Sequence, residues 1–118
     1  MRSILLINSS LYLLIIQFAF PINTSAQKIY SCDSKYEADF KVFVADSKYE
    51  ADLCVYKVDS KYEAEDNKGL WFFVKSKYEA DKKIYFTDSK YDADLLIYFV
   101  DSKYEAEWRE RQQMHLLF

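Results

Sequence analysis

A chain of 118 residues is long enough for one small domain with its own hydrophobic core. Its formal net charge is −3, so it lacks the clustered basic charge that supplies most of the affinity of nucleic-acid-binding proteins. The same charge balance provides no polybasic face for anionic lipid.

Residues 1–26 have the three parts of a secretory signal peptide. Arg2 gives a positive start, an apolar stretch follows, and Thr24-Ser25-Ala26 offers a small-residue cleavage site. The alternative is a membrane anchor, but the apolar run from Leu11 to Phe20, which contains Gln17, is shorter than the roughly 20 residues that span a bilayer. We therefore expect a secreted or periplasmic protein with no membrane insertion after cleavage, and one domain over 27–118. That part carries 15 Lys plus Arg against 19 Asp plus Glu, a net charge of −4.

The remaining chain contains six copies of one short unit. Each copy holds Ser-Lys-Tyr-Glu-Ala or Ser-Lys-Tyr-Asp-Ala, and the spacings between successive copies are 13, 13, 16, 13 and 13 residues. The six copies begin at Ser34, Ser47, Ser60, Ser76, Ser89 and Ser102. The longer interval, from Ser60 to Ser76, contains residues 65–69, and Gly69 is the single glycine of the chain, which predicts one irregular loop there.

A run of about five residues before each Ser is rich in β-branched and aromatic side chains, which predicts a short strand. In alternate positions, one face is almost entirely apolar and the other carries an aromatic residue at its centre. The aromatic residues are Tyr30, Phe43, Tyr56, Phe72, Tyr85 and Tyr98. Since neither face is reliably polar, we expect both faces to be covered at their centres.

Each Ser-Lys-Tyr-Glu-Ala-Asp connector has the pattern of a capping box, in which Ser accepts from the third amide and Glu returns a bond. We predict a single helical turn per connector, with Ala packed inward. A unit of 13 residues is too short for a β-helix coil, so the units must gather around a shared centre. The predicted fold is β-rich, an α+β arrangement with single-turn helical connectors, and forms a compact, closed, quasi-symmetric domain of six or seven strands. The residues from Met114 to Phe118 are predicted to add the seventh, closing strand.

Cys32 and Cys54 leave two alternatives open. An exported protein meets an oxidising compartment, so the two residues can form a disulfide. Alternatively, both are small buried hydrophobic residues, because other repeats place Ala, Val or Leu at comparable positions.

The tyrosine of each connector is the main candidate for a binding surface. These residues are Tyr36, Tyr49, Tyr62, Tyr78, Tyr91 and Tyr104. An exposed ring of tyrosines near acidic residues would suit an extracellular glycan or a protein partner. The other interpretation, which we prefer from the sequence, is that each ring packs over a strand edge and completes the core.

Other chemistry finds little support in the sequence. The recurring Asp33, Glu37 and Asp39 could supply oxygens to calcium, but a Lys lies inside every connector and the Glu has a predicted capping role. His115 is the only histidine and lies in an apolar run, where a structural role is commoner than that of a hydrolase base. Sixfold repetition of the acids also argues against one asymmetric catalytic pair. We expect no cofactor and no catalytic site.

The repeated Lys-Ile-Tyr-Phe-x-Asp strands and the connectors ending in Glu-Ala-Asp resemble the septoil-knot domain family. Gly69-Leu70-Trp71-Phe72 and the C-terminal Trp108 to Phe118 segment also resemble that family, so the similarity covers 28–118. It implies a small β-rich domain whose backbone forms a deep seven-crossing torus knot, and it implies no activity. We therefore expect an exported structural or binding module with high kinetic stability; alternatives are a glycan- or protein-binding domain and a calcium-binding repeat protein.

Overall fold

The structure is a computed structural model that describes residues 27–64 and 67–118; the predicted signal peptide, residues 1–26, lies outside this range. The strands are β1 (Lys28–Ser31), β2 (Phe40–Val44), β3 (Leu53–Lys57), β4 (Leu70–Phe73), β5 (Lys82–Phe86), β6 (Leu95–Phe99) and β7 (Glu107–Trp108). The 3-10 helices are η1 (Lys35–Glu37), η2 (Lys48–Glu50), η3 (Lys61–Glu63), η4 (Lys77–Glu79), η5 (Lys90–Asp92), η6 (Lys103–Glu105) and η7 (Arg111–Leu117).

Within the described residues, β1 to β6 form a closed barrel of parallel strands in the order β4-β1-β5-β2-β6-β3, closed by the pairing of β3 with β4. Neighbouring strands are offset by two residues of the repeat at all six interfaces. Tyr30 pairs with Lys83, for example, although the residue equivalent to Tyr30 in that strand is Tyr85. Because the offset is even, an inward side chain stays inward in every strand. The predicted closed, quasi-symmetric β-rich fold is confirmed.

The path of the chain explains how such short connectors join parallel strands. Consecutive strands usually take alternate places in the barrel, so the chain fills it in two laps, first β1 to β3 and then β4 to β6. Each connector passes outside the barrel against a neighbouring strand: η1 packs on β5, η2 on β6, η5 on β2 and η6 on β3. Strands of one lap are thus held beneath connectors of the other, an arrangement consistent with a knotted domain.

The interior consists of rings of side chains, one from each strand. The middle ring is fully buried and contains Ile29, Val42, Val55, Trp71, Ile84 and Ile97. Burial of each aliphatic member contributes about 1.5–3 kcal/mol. The outward aromatic residues of the strands are half-buried, because connectors cross over them. Both strand faces are therefore covered at their centres, as the composition predicts.

The two ends of the barrel differ. At the end where the strands begin, Trp108 and Leu117 join the buried core. At the other end, Phe73, Phe86 and Phe99 are only partly buried, and the Lys57 Nζ lies 4.5 Å from the Phe99 ring centroid.

The C-terminal segment does not form the predicted closing strand. Met114 to Leu117 belong to the 3-10 helix η7, and the extra strand is the two-residue β7, antiparallel to β3. The helical form places Met114 and Leu117 three residues apart on one face, where both contact the core. The side-chain amide of Asn67 donates to the Met114 carbonyl and fastens the helix to the irregular loop.

Cys32 and Cys54 are both buried free thiols. Along the shorter way around the barrel, β4 lies between β1 and β3. Two strand spacings amount to roughly 9–10 Å, whereas a disulfide needs Cα atoms within about 7 Å. The structure therefore does not have the disulfide and holds both residues as small buried side chains.

None of the described helices combines the length and the apolar character required to cross a membrane.

Candidate functional site

The six connectors are built alike, on a Ser cap. Each Ser Oγ accepts a hydrogen bond from the backbone amide of the Tyr two residues on, at 3.1–3.3 Å. The amide of the third residue donates instead to the Ser carbonyl, as Glu37 does to Ser34 at 3.2 Å. The helical turn is as predicted, but the capping box is wrong in detail, because a 3-10 turn is too tight for the α-helical spacing of that motif.

The connector tyrosines point to solvent. Their side chains are 75–96% exposed, so the prediction that they pack over strand edges is wrong. The half-buried strand tyrosines such as Tyr85 and Tyr98 already cover that surface. We call the six exposed residues the tyrosine belt: Tyr36, Tyr49, Tyr62, Tyr78, Tyr91 and Tyr104.

In five of the six connectors, the Lys that precedes the Tyr places its ammonium group 5.5–5.7 Å from the centroid of the Tyr ring. An exposed cation–π contact of this kind contributes about 0.5–1 kcal/mol. The belt is thus a set of exposed aromatic groups on short, capped turns, and five of the six make this contact.

Tyr104 is the exception. The ammonium group of Lys103 is 3.4 Å from the Glu63 carboxylate, so it forms an ion pair with the neighbouring connector. Among the described residues, no cation lies over the Tyr104 ring, which is 96% exposed.

Two grooves lie between connectors, at equivalent places in the repeat. The β5 groove, about 410 Å³, runs between η1 and η5 and includes Tyr85 of β5 in its lining. The β6 groove, about 560 Å³, runs between η2 and η6 and includes Tyr98 of β6. The tyrosine belt contributes Tyr36 to the first groove, and Tyr49 and Tyr104 to the second.

The grooves differ in how their carboxylates are neutralised. At the β5 groove, the Lys41 ammonium group is 3.1 Å from Asp92, and its hydrogen bond and charge lower the pKa of that carboxyl group. At the β6 groove, the equivalent of Asp92 is Glu105 and the equivalent of Lys41 is Cys54. A cysteine carries no positive charge, and burial raises the pKa of the Cys54 thiol, which favours its neutral form.

The β6 groove is consequently acidic. Its lining contains four carboxylates, Asp46, Asp101, Glu105 and Glu107, against the single ammonium group of Lys48. Within the described part of the chain, none of the four has a basic partner within ion-pair distance. The guanidinium group of Arg109 lies 5.2 Å from the centroid of the Tyr49 ring, at the edge of this groove.

The aspartates that end the connectors have a structural role. The amide of Asp39 donates to the Lys83 carbonyl at 2.7 Å, and its Oδ2 accepts from the Lys83 amide at 2.8 Å. The same reciprocal pair joins Asp52 to Leu96, Asp81 to Lys28 and Asp94 to Lys41. These four clamps each tie one connector to a strand of the other lap.

The structure does not bring the candidate calcium ligands Asp33 and Asp39 together in one site. Asp39 faces a backbone amide, whereas Asp33 lines the β5 groove. In the ranges 27–64 and 67–118, no group of three or more His, Cys, Asp or Glu side chains is arranged to hold a metal ion. His115 is exposed on η7, and its Nδ1 donates to the Gln112 carbonyl at 3.0 Å.

Sequence reasoning located the belt but missed the grooves, the clamps, and the contacts of Lys57 and Arg109. The clamps could have been predicted, since an acidic residue ends every connector in the sequence. No sequence pattern indicated the grooves, because they form between connectors of different laps.

The barrel that the chain fills in two laps, with capped connectors outside it, defines a repeat-built knotted β-barrel domain. The comparison with protein families agrees: the model of the 7(1) septoil knot domain matches residues 26–109, and the chain belongs to that family. No curated protein matches the chain. No solved structure matches it either.

Proposed function

We propose that this protein is an exported, non-catalytic binding module, in which a kinetically stable barrel presents the tyrosine belt to an extracellular macromolecule. The exposure of all six connector tyrosines carries the proposal. Tyrosine is enriched in protein interfaces, since it offers a large apolar area and a hydroxyl at low entropic cost. Burial of such a ring would stabilise the domain more than the exposed cation–π contact that five of the six make.

The scaffold suits such a role. Each belt tyrosine is the middle residue of a Ser-capped turn. Most of these turns are tied by an aspartate clamp to a strand of the other lap. A binding surface that is already ordered loses less conformational entropy when it meets its partner. The predicted signal peptide at 1–26 supports export.

The test is binding of the protein to a printed array of oligosaccharides and synthetic peptides. A variant with Tyr36→Ala, Tyr78→Ala and Tyr91→Ala should bind its best probe at least tenfold more weakly, with an unchanged melting temperature. The matched control carries Glu37→Ala, Glu50→Ala and Glu79→Ala on the same kind of turn and should bind normally.

Two results would remove the proposal. One is binding of the triple variant that is as tight as binding of the parent protein. The other is a fall in melting temperature that accounts for the loss, because the rings would then support the fold and not a partner.

A further inference from the structure

The β6 groove contains Tyr104, the one belt tyrosine whose ring is not covered by a lysine of its own connector. Five belt tyrosines are already covered by a lysine of the protein itself, whereas the Tyr104 ring is open because Lys103 pairs with Glu63. The face of an aromatic ring attracts a cation. The Tyr104 ring is therefore open to a cation from a ligand, whereas a lysine of the protein occupies this position at the other five rings.

The charge of the groove favours the same kind of ligand. Asp46, Asp101, Glu105 and Glu107 surround the space beside Tyr104, and none has an ion-pair partner among the described residues. In the equivalent β5 groove, Lys41 neutralises Asp92. Because Cys54 stands where the β5 groove has Lys41, the β6 groove lacks that neutralising charge, and its excess of carboxylates complements a positively charged partner.

The kind of cation follows from a contact inside the protein. The guanidinium group of Arg109 lies over Tyr49 at 5.2 Å, on the edge of the same groove. A guanidinium group is planar and weakly hydrated, so it can stack on a ring and donate to carboxylates at the same time. A neutral sugar would also stack on tyrosine but would leave the four carboxylates without a counter-charge.

We propose that the β6 groove binds an arginine side chain in a basic segment of a partner protein, with the guanidinium group stacked on Tyr104 and paired with the groove carboxylates. This inference rests on the proposed function and adds the site and the chemical class of its partner.

The experiment titrates the isotopically labelled protein with three short synthetic peptides of one design, whose two basic positions hold arginine, lysine or neutral citrulline. Amide chemical shifts give both the affinity and the place of binding. The arginine peptide should shift Tyr49, Tyr98 and Tyr104, and should bind more tightly than the lysine peptide. The citrulline peptide should lose most of the affinity, and added salt should weaken binding of the arginine peptide.

Variants test the contributions of Tyr104 and of the groove carboxylates. Tyr104→Ala should weaken the arginine peptide by about threefold to tenfold, as expected for loss of one cation–π contact, and Tyr104→Phe should restore much of the affinity. The matched control is Phe118→Ala, which removes an exposed aromatic ring outside the tyrosine belt and the β6 groove and should change affinity less than twofold. Glu105→Gln with Glu107→Gln should weaken binding further.

Equal binding of the citrulline peptide, or no saturable binding of the arginine peptide, would overturn the inference. It would also fail if Phe118→Ala weakened binding as much as Tyr104→Ala, or if neutral oligosaccharides and not the arginine peptide shifted the amide signals of the groove residues. In these cases the belt can still bind a macromolecule, so the triple tyrosine variant of the preceding section tests the proposed function separately.

Discussion

Replacement of Gly69 by alanine should weaken the point at which the barrel closes. Gly69 has φ +92°, a backbone conformation that residues with a side chain rarely adopt. A Cβ atom there would stand 2.4 Å from the Cys54 carbonyl oxygen and 3.2 Å from Leu53 Cδ1. The first of these atoms belongs to the backbone of β3, which is paired on both edges and has little room to move.

The size of the effect follows from two costs. A non-glycine residue in the left-handed region costs about 1–3 kcal/mol. Relief of the clash must also move Gly69 away from β3, and so weaken the 2.8 Å hydrogen bond from the Tyr56 amide to the Gly69 carbonyl, worth about 1 kcal/mol. We expect the free energy of unfolding to fall by about 2–4 kcal/mol, a large part of the roughly 5–15 kcal/mol typical of a domain.

Equilibrium denaturation in guanidinium, followed by the fluorescence of Trp71 and Trp108, measures this change. Both directions should be recorded until they coincide, because we expect a knotted chain to reach equilibrium slowly. Lys75→Ala, an exposed residue just after β4, is the control and should stay within about 0.5 kcal/mol of the parent. A Gly69→Ala protein as stable as this control would refute the argument from close contact and positive φ.

Three other predictions concern the clamps, the thiols and the unfolding rate. Asp94→Ala removes the acceptor of the Lys41 amide and should cost about 1–2 kcal/mol by the same denaturation assay, whereas the exposed Asp88→Ala should cost less than about 0.5; equal effects would deny the clamps a role. Burial raises the pKa of Cys32 and Cys54 from the usual 9.0, so the folded state holds these protons more tightly. Their contribution to stability is full below pH 9.0 and is lost as pH rises through the raised values. A Cys32→Ala, Cys54→Leu variant, with residues taken from other repeats, should show a flatter decline, and an unchanged slope would contradict this. Unfolding in water, extrapolated from stopped-flow data, should be no faster than about 10⁻⁶ per second, and a rate near 1 per second would exclude kinetic stability from the knot.

Much of this architecture can be predicted from the repeat. Strand-forming composition before each Ser, the Ser-capped turn, and two apolar faces together require short strands that are covered on both sides. A unit of 13 residues cannot cover itself, so closure around an axis follows. The irregular loop at Gly69 was also evident, since a lone glycine at the one longer interval marks a special backbone conformation.

The C-terminal residues show where local pattern fails. Met114 to Phe118 have strand-like composition, yet Met114 and Leu117 form part of a 3-10 helix that packs on the core. Beside β3, the available edge is taken by β4 and the short β7, so a further long strand has no partner. The available space, and not the propensity of the segment, decided its structure.

The amino-acid sequence by itself determined the unit, its strand and turn, and the even alternation that separates inward from outward residues. Only the tertiary structure decided the strand order, the exposure of the tyrosine belt and the difference between the two grooves. The physical reason is that nearly identical repeats make many pairings locally equivalent. The choice among them depends on which connector crosses which strand, and that crossing brings Tyr49, Tyr104 and Cys54 from different laps into one groove.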